Sequence, residues 1–187
     1  MSNGRRNLLI LAAGAAMVSM LAAAANQRDF VIYNQSPSVP TGFYVRSSAP
    51  VEPGVFVTVR ARDVAPGEAE RRQFDDSSDR FIKRVAAAAG ARVCGDGRQL
   101  RIEGDDIVVI GADDAAGDDG DHEHGRALIV RVLHGDDEVH QRIAGWRGCR
   151  VLADGEVLLL GDTPDSFDGR YWGPVSIDLI EGVWRRL

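Results

Sequence analysis

Lys83 is the one lysine in a chain with 22 Lys and Arg; the other 21 are arginines. Arginine keeps its proton at any pH a protein meets, whereas a desolvated lysine can release one and act as a general base. A lone lysine in an arginine-dominated chain is therefore a candidate base, weighed against the plainer reading of a surface amine. Such a base needs a nucleophile that is weak alone, a Ser or Thr. Most of the ten serines lie in polar loops. Ser36 and Ser38 differ, because NQSPSVPTGFY places them among Pro37 and Pro40, which restrict the backbone and can hold Ser38 fixed and exposed. A third stretch, GDTPDSFDGRYWGP at 161–174, brings Ser166, Asp168 and Arg170 within five residues. Asp168 and Arg170 can form an internal ion pair that orders this loop. Ser166 can hydrogen-bond a buried amine.

Other chemistries fit less well. The histidines His122, His124, His134 and His140 lie in an acidic loop and a polar strand-like region, and no G-x-S-x-G elbow is present, which argues against a Ser-His-Asp hydrolase. DHEH at 121–124 has no standard zinc spacing and reads as part of an acidic loop. The Ser-Lys reading calls for no metal and no cofactor. The net charge of −6 gives no nucleic-acid footprint.

The elements that must position these residues are mostly strands. DFVIYNQ, GFYVRSS, VFVTVRA, ARVC, QLRIEG, DDIVVIGA, ALIVRVL, EVHQRIAGW and EVLLLG are β-rich and bounded by Gly, Pro or Asp. Residues 62–79 are polar and read as a loop or a short amphipathic helix. DRFIKRVAAAAG, which carries Lys83, suits strand or helix, since its alanine run favours helix. No βαβ pattern appears, so the expectation is a mostly β, antiparallel domain over residues 27–187, with an acidic loop at 111–125. Nine Asp or Glu fall between Glu103 and Glu123.

Residues 8–25 run 18 positions without a charge. As a helix they would span roughly 27 Å, enough to cross a bilayer. Arg5 and Arg6 precede them, so the positive-inside rule puts the N-terminus in the cytoplasm and the rest outside. A retained anchor over 1–26 is the preferred reading; a cleaved signal peptide and a buried helix are the alternatives. Export suits the even count of two cysteines, Cys94 and Cys149, whose pairing as a disulfide is expected against two free core thiols.

SVPTG, FIKRV and GDTPDSFDGRYWG, in that order behind one anchor, resemble the signal peptidase I superfamily of membrane-anchored serine proteases. NQSPSVPTGFY, GRAL at 125–128, WRGCRVL and SFDGRYWGPV bring the likeness nearest to the TraF-type conjugal transfer peptidases. The resemblance implies Ser38 as nucleophile, with Ser36 as the competing choice, and Lys83 as general base. It implies an oxyanion hole from the Ser36 hydroxyl and the Ser38 N–H, Ser166 as a partner of the lysine, and Asp168–Arg170 as a structural ion pair. Val39 stands where general signal peptidases carry Met, Gly169 where Ser is common, and AAAAG replaces the usual turn after the lysine segment. The implied enzyme is a single-pass protein of the inner (cytoplasmic) membrane with its catalytic domain on the periplasmic side. Its implied partner is an exported precursor, a pilin precursor above all, cut hydrolytically or joined by transpeptidation. The competing non-enzymatic reading is an exported β-domain that serves as an assembly or adaptor subunit.

Overall fold

Pairing on both sides decides the state of the lysine segment. The computed structural model of the chain describes residues 29–71, 73, 79–108, 126–131 and 144–187, with positions 14 and 17. Residues Arg80–Ala87 form a strand despite their alanines, since burial between two neighbouring strands outweighs an intrinsic helix preference of a few tenths of a kcal/mol per residue. The chain divides into two compact units, Met1–Ile32 and Tyr33–Leu187. Nearly all the strand residues belong to the second.

Two antiparallel sheets make up the architecture. In chain order the strands are β1 (Val31–Asn34), β2 (Gly42–Ser47), β3 (Phe56–Arg60), β4 (Arg80–Ala87), β5 (Arg92–Asp96), β6 (Gln99–Gly104), β7 (Arg126–Arg131), β8 (Arg147–Val151), β9 (Glu156–Leu160), β10 (Val175–Ser176) and β11 (Ile180–Arg186). The larger sheet runs β1-β2-β11-β3-β4-β9-β10, and the smaller runs β7-β6-β5-β8. Short helices fill 61–64, 66–71 and 169–172. The mostly antiparallel β expectation therefore holds.

The sheets meet over one apolar cluster: Ala86 and Ala87 from β4, Val93, Leu100 and Ile102 from the small sheet, and Leu158 and Leu160 from β9. Small alanines let β4 lie close to the second sheet, which is the use of the alanine run. The other face of β4 joins Val57, Val59, Val85 and Leu159 in a second cluster. The C-terminal strand β11 was not anticipated, although it sits centrally between β2 and β3. Gly182, where the β11–β3 register shifts, interrupts its alternation. DDIVVIGA and EVHQRIAGW, expected as strand-like, are not strands at 105–108 and 144–146; the rest of each lies outside the described residues.

Cys94 and Cys149 are register partners on β5 and β8 and are joined by a disulfide. Among the described residues no helix is long and apolar enough to cross a membrane. The expected anchor at 8–25, apart from positions 14 and 17, lies outside those residues, as do the acidic loop and all four histidines.

Candidate active site

Lys83 sits in the middle of β4 and pairs with Val57 of β3. Alternation puts Phe81, Lys83 and Val85 on one face, the face on which Val85 clusters with Val57, Val59 and Leu159 and Phe81 packs against them. Lys83 is 3% exposed. Removing an ammonium from water disfavours its charged form. Burial accordingly lowers the Lys83 pKa from 10.5 to about 8; the Asp168 carboxylate pulls it up and the Arg170 guanidinium pushes it further down. Nζ donates to Ser38 Oγ at 3.0 Å and to Ser166 Oγ at 2.9 Å.

The serine loop is tied by a residue that sequence reasoning passed over. Asn34, at the end of β1, accepts the Ser36 N–H on Oδ1 at 3.1 Å. Its Nδ2 lies within bonding distance of the carbonyls of Ser36 (2.8 Å), Val39 (3.0 Å) and Pro40 (3.2 Å). An Asn opening a Pro-rich turn was the available signal, because its side chain readily bonds backbone two residues on. Val39, fully buried, pins the loop from beneath. The Tyr44 hydroxyl donates to the Pro40 carbonyl at 2.6 Å. Ser36 Oγ accepts the Ser38 N–H at 3.3 Å and donates to Ser38 Oγ at 3.1 Å.

The third wall is the segment after β9. Asp168 and Arg170 are 0% and 1% exposed. Arg170 Nε and Nη2 reach the Asp168 carboxylate at 3.0 and 2.8 Å. Nη2 also lies within bonding distance of the carbonyls of Gly161 (3.1 Å) and Thr163 (2.8 Å), and Nη1 donates to that of Pro164. Asp168 also accepts the N–H groups of Gly161 (2.7 Å) and Arg170 (3.0 Å). A buried ion pair repays its desolvation only with such added hydrogen bonds. This clamp folds the 161–170 loop so that it delivers Ser166 to the lysine.

A family model described as "Signal peptidase, peptidase S26" matches residues 5–186. The chain belongs to the peptidase S26 signal peptidase family. Two relatives from Escherichia coli, both named plasmid transfer protein TraF, are each 30% identical to it. One alignment covers 96% of this chain and 96% of the relative; the other covers 99% and 97%.

In this S26 chain the residues expected from sequence converge. Ser36, Ser38, Lys83 and Ser166 form one hydrogen-bonded chain, and Asp168 and Arg170 form the pair behind it. Cys94 and Cys149 lie apart from it, in the small sheet. A second ion pair was missed. Arg84 binds Asp162 through Nε at 2.8 Å and Nη2 at 2.6 Å, and the Asp162 N–H donates to the Ser38 carbonyl at 2.5 Å. The bond to Asp162 raises the Arg84 pKa above its ordinary value. The signal was the position of each residue: Arg84 follows Lys83, and Asp162 opens the loop that carries Ser166. Chemically, a buried amine with a depressed pKa beside an immobilised serine hydroxyl suits proton abstraction and nucleophilic attack.

Proposed function

We propose that the chain is a membrane-anchored serine endopeptidase that uses a Ser38–Lys83 dyad to cut leader segments from exported precursors. The observation that carries the reading is the 3.0 Å contact between the buried Lys83 amine and Ser38 Oγ. Neutral Lys83 takes the hydroxyl proton as Ser38 attacks the scissile carbonyl. The tetrahedral oxyanion accepts hydrogen bonds from the Ser38 N–H and the Ser36 hydroxyl. The ammonium returns its proton to the departing amine, and water, activated by the same lysine, releases the acyl group. An incoming amine in place of water gives transpeptidation. Ser166 holds the lysine toward Ser38.

Family membership supports a serine-type peptidase, and likeness to two plasmid transfer proteins supports a pilin precursor of a conjugative system as substrate. A membrane location rests on the apolar run at 8–25. The exposed ring of Tyr33, 4.9 Å from that of Phe43, agrees with it, since tyrosine favours the membrane–water interface.

The test is Lys83→Arg in the full-length chain in membranes, with cleavage of an exported precursor followed by mass spectrometry and folding followed by circular dichroism. A folded, inactive variant is expected. Cleavage by Lys83→Arg at the wild-type rate sinks the reading, because arginine cannot serve as the base.

A further inference from the structure

The clamp on Ser166 is held from behind by a residue of the other sheet. Trp146, just ahead of β8, donates its backbone N–H to the Arg170 carbonyl at 2.8 Å. Its own carbonyl accepts the Gly97 N–H, from the turn between β5 and β6, at 3.1 Å. The indole lies where three glycines leave room. A Cβ at Gly95 would come 2.7 Å from Cε3, one at Gly148 2.8 Å from Cζ2, and one at Gly173 2.5 Å from Cδ1. Any side chain there would evict the ring. Gly173 caps the helical turn 169–172 and holds a φ of 79°, which favours glycine in its own right.

Gly95 and Gly148 are register partners, directly beside the bonded pair Cys94–Cys149. The disulfide thus fixes the register that lays two glycines under the ring. A slip by one residue would put side chains in their place.

We propose that Trp146 is a positioning residue: a wedge through which the disulfide-closed sheet holds the 166–170 segment against Lys83. The inference rests on the Ser38–Lys83 reading above. The ring, seated among Gly95, Gly148 and Gly173, sets where the main chain of residue 146 lies, and that main chain fixes Arg170, whose side chain fixes Asp168 and the 161–164 carbonyls. Ser166 lies between these anchors and bonds the lysine. Displacing the wedge loosens Ser166 and lets water approach Lys83.

The test compares Trp146→Ala, Trp146→Phe and Gly173→Ala with the wild type. It uses full-length chain in membranes and an exported precursor with an Ala-x-Ala cleavage site. Misplacing a supporting group by about 1 Å costs up to about 100-fold in rate. Trp146→Ala is expected to lower kcat about 10- to 100-fold with little change in KM. The pH midpoint of kcat should move upward, and Trp146→Phe should restore most of the rate. Gly173→Ala should reproduce the signature from the opposite side of the ring, so the test survives a misfolded Trp146→Ala. Wild-type kcat and midpoint in folded variants overturn the inference. So does a rate loss that merely tracks the folded fraction while the midpoint stays put. Lys83→Arg, assayed alongside, separates the levels. If it cleaves, the dyad reading fails. If it is inactive while the Trp146 variants behave as wild type, only the positioning role fails.

Discussion

Gly161 and Ser166 are packed so closely that a Cβ added at 161 would lie 2.5 Å from the Ser166 Cβ and closer still to its hydroxyl. The same atom would stand 2.7 Å from the Ser38 carbonyl. Gly161 is therefore the point where the Ser38 loop and the segment carrying Ser166 touch. Its lack of a side chain is a condition of the geometry around Lys83.

Gly161→Ala should leave the fold in place and disable the site. The added methyl must push Ser166 off Lys83 or push the Ser38 loop outward. Overpacking of this kind costs about 1–3 kcal/mol. The expected result is a lower melting temperature with native circular dichroism and at least about a 100-fold loss of precursor cleavage. Wild-type cleavage in this variant would show that the site tolerates a shifted Ser166.

The pH dependence follows from the buried amine. With the Lys83 pKa lowered to about 8 by burial, the neutral form grows about tenfold per pH unit below that value, and kcat should rise through it to a plateau. Stability has a definite sign. Between about 8 and 10.5 the unfolded lysine binds a proton that the folded one does not, so stability rises with pH there. The burial cost is fully present below about 8 and fades toward 10.5. Lys83→Met should thus be inactive yet more stable than wild type at neutral pH. The gain is on the order of 3 kcal/mol less the two lost hydrogen bonds. Urea denaturation at several pH values should show the difference narrowing as pH rises toward 10.5. A gain independent of pH would mean the amine is not desolvated.

Much of this site was legible in the chain because its chemistry is local in sequence. A single lysine among arginines, a serine between prolines and a Ser-x-Asp-x-Arg run each carry their reactive group in a short phrase. The supporting contacts were less visible because they are long-range. Arg84 and Asp162 lie 78 positions apart, and nothing in either phrase says that they meet across β4 and the 161–170 loop. Trp146 is read only once β8 is seen beside β5. The lysine strand was ambiguous because alanines suit helices in isolation, and pairing with β3 and β9 resolved it. The strand β11 was overlooked because Gly182 and the terminal arginines obscure its alternation.

Breaking the buried pair from one side should be severe. Arg170→Ala would leave the Asp168 carboxylate without its countercharge and three carbonyls without their donor. Removing one partner of a buried ion pair costs about 3–5 kcal/mol. Arg170→Ala is expected to lose that much in chemical denaturation and to lose cleavage as Ser166 comes free. The double variant Asp168→Ala with Arg170→Ala should recover part of the stability and none of the activity. A loss below about 1 kcal/mol for Arg170→Ala would mean that water replaces the guanidinium, as at an exposed pair.

The hydroxyl of Ser36 should separate the roles of the two loop serines. Ser36 Oγ accepts the Ser38 N–H at 3.3 Å and donates to Ser38 Oγ at 3.1 Å. Both donors proposed for the oxyanion are therefore engaged within the loop, the N–H by Ser36 Oγ and the hydroxyl by Ser38 Oγ. Substrate binding must break the N–H contact and rotate the Ser36 side chain, so that both donors point at the developing charge. Ser36 is also exposed while Ser38 is partly buried against Lys83, which favours Ser38 as the nucleophile. Ser36→Ala should accordingly lower kcat about 10²–10³-fold, the range for loss of one oxyanion donor, and leave a measurable rate. Ser38→Ala should abolish the acyl-enzyme altogether, as judged by trapping with a serine-directed acylating ester and locating the modified peptide by mass spectrometry. Acylation of Ser36 in the wild type, or of the Ser38→Ala variant at that position, would reverse the assignment. The reason would be that Ser36 Oγ reaches Lys83 only through Ser38 in this geometry, so its acylation would require a rearranged loop with Asn34 released from the Ser36–Pro40 carbonyls.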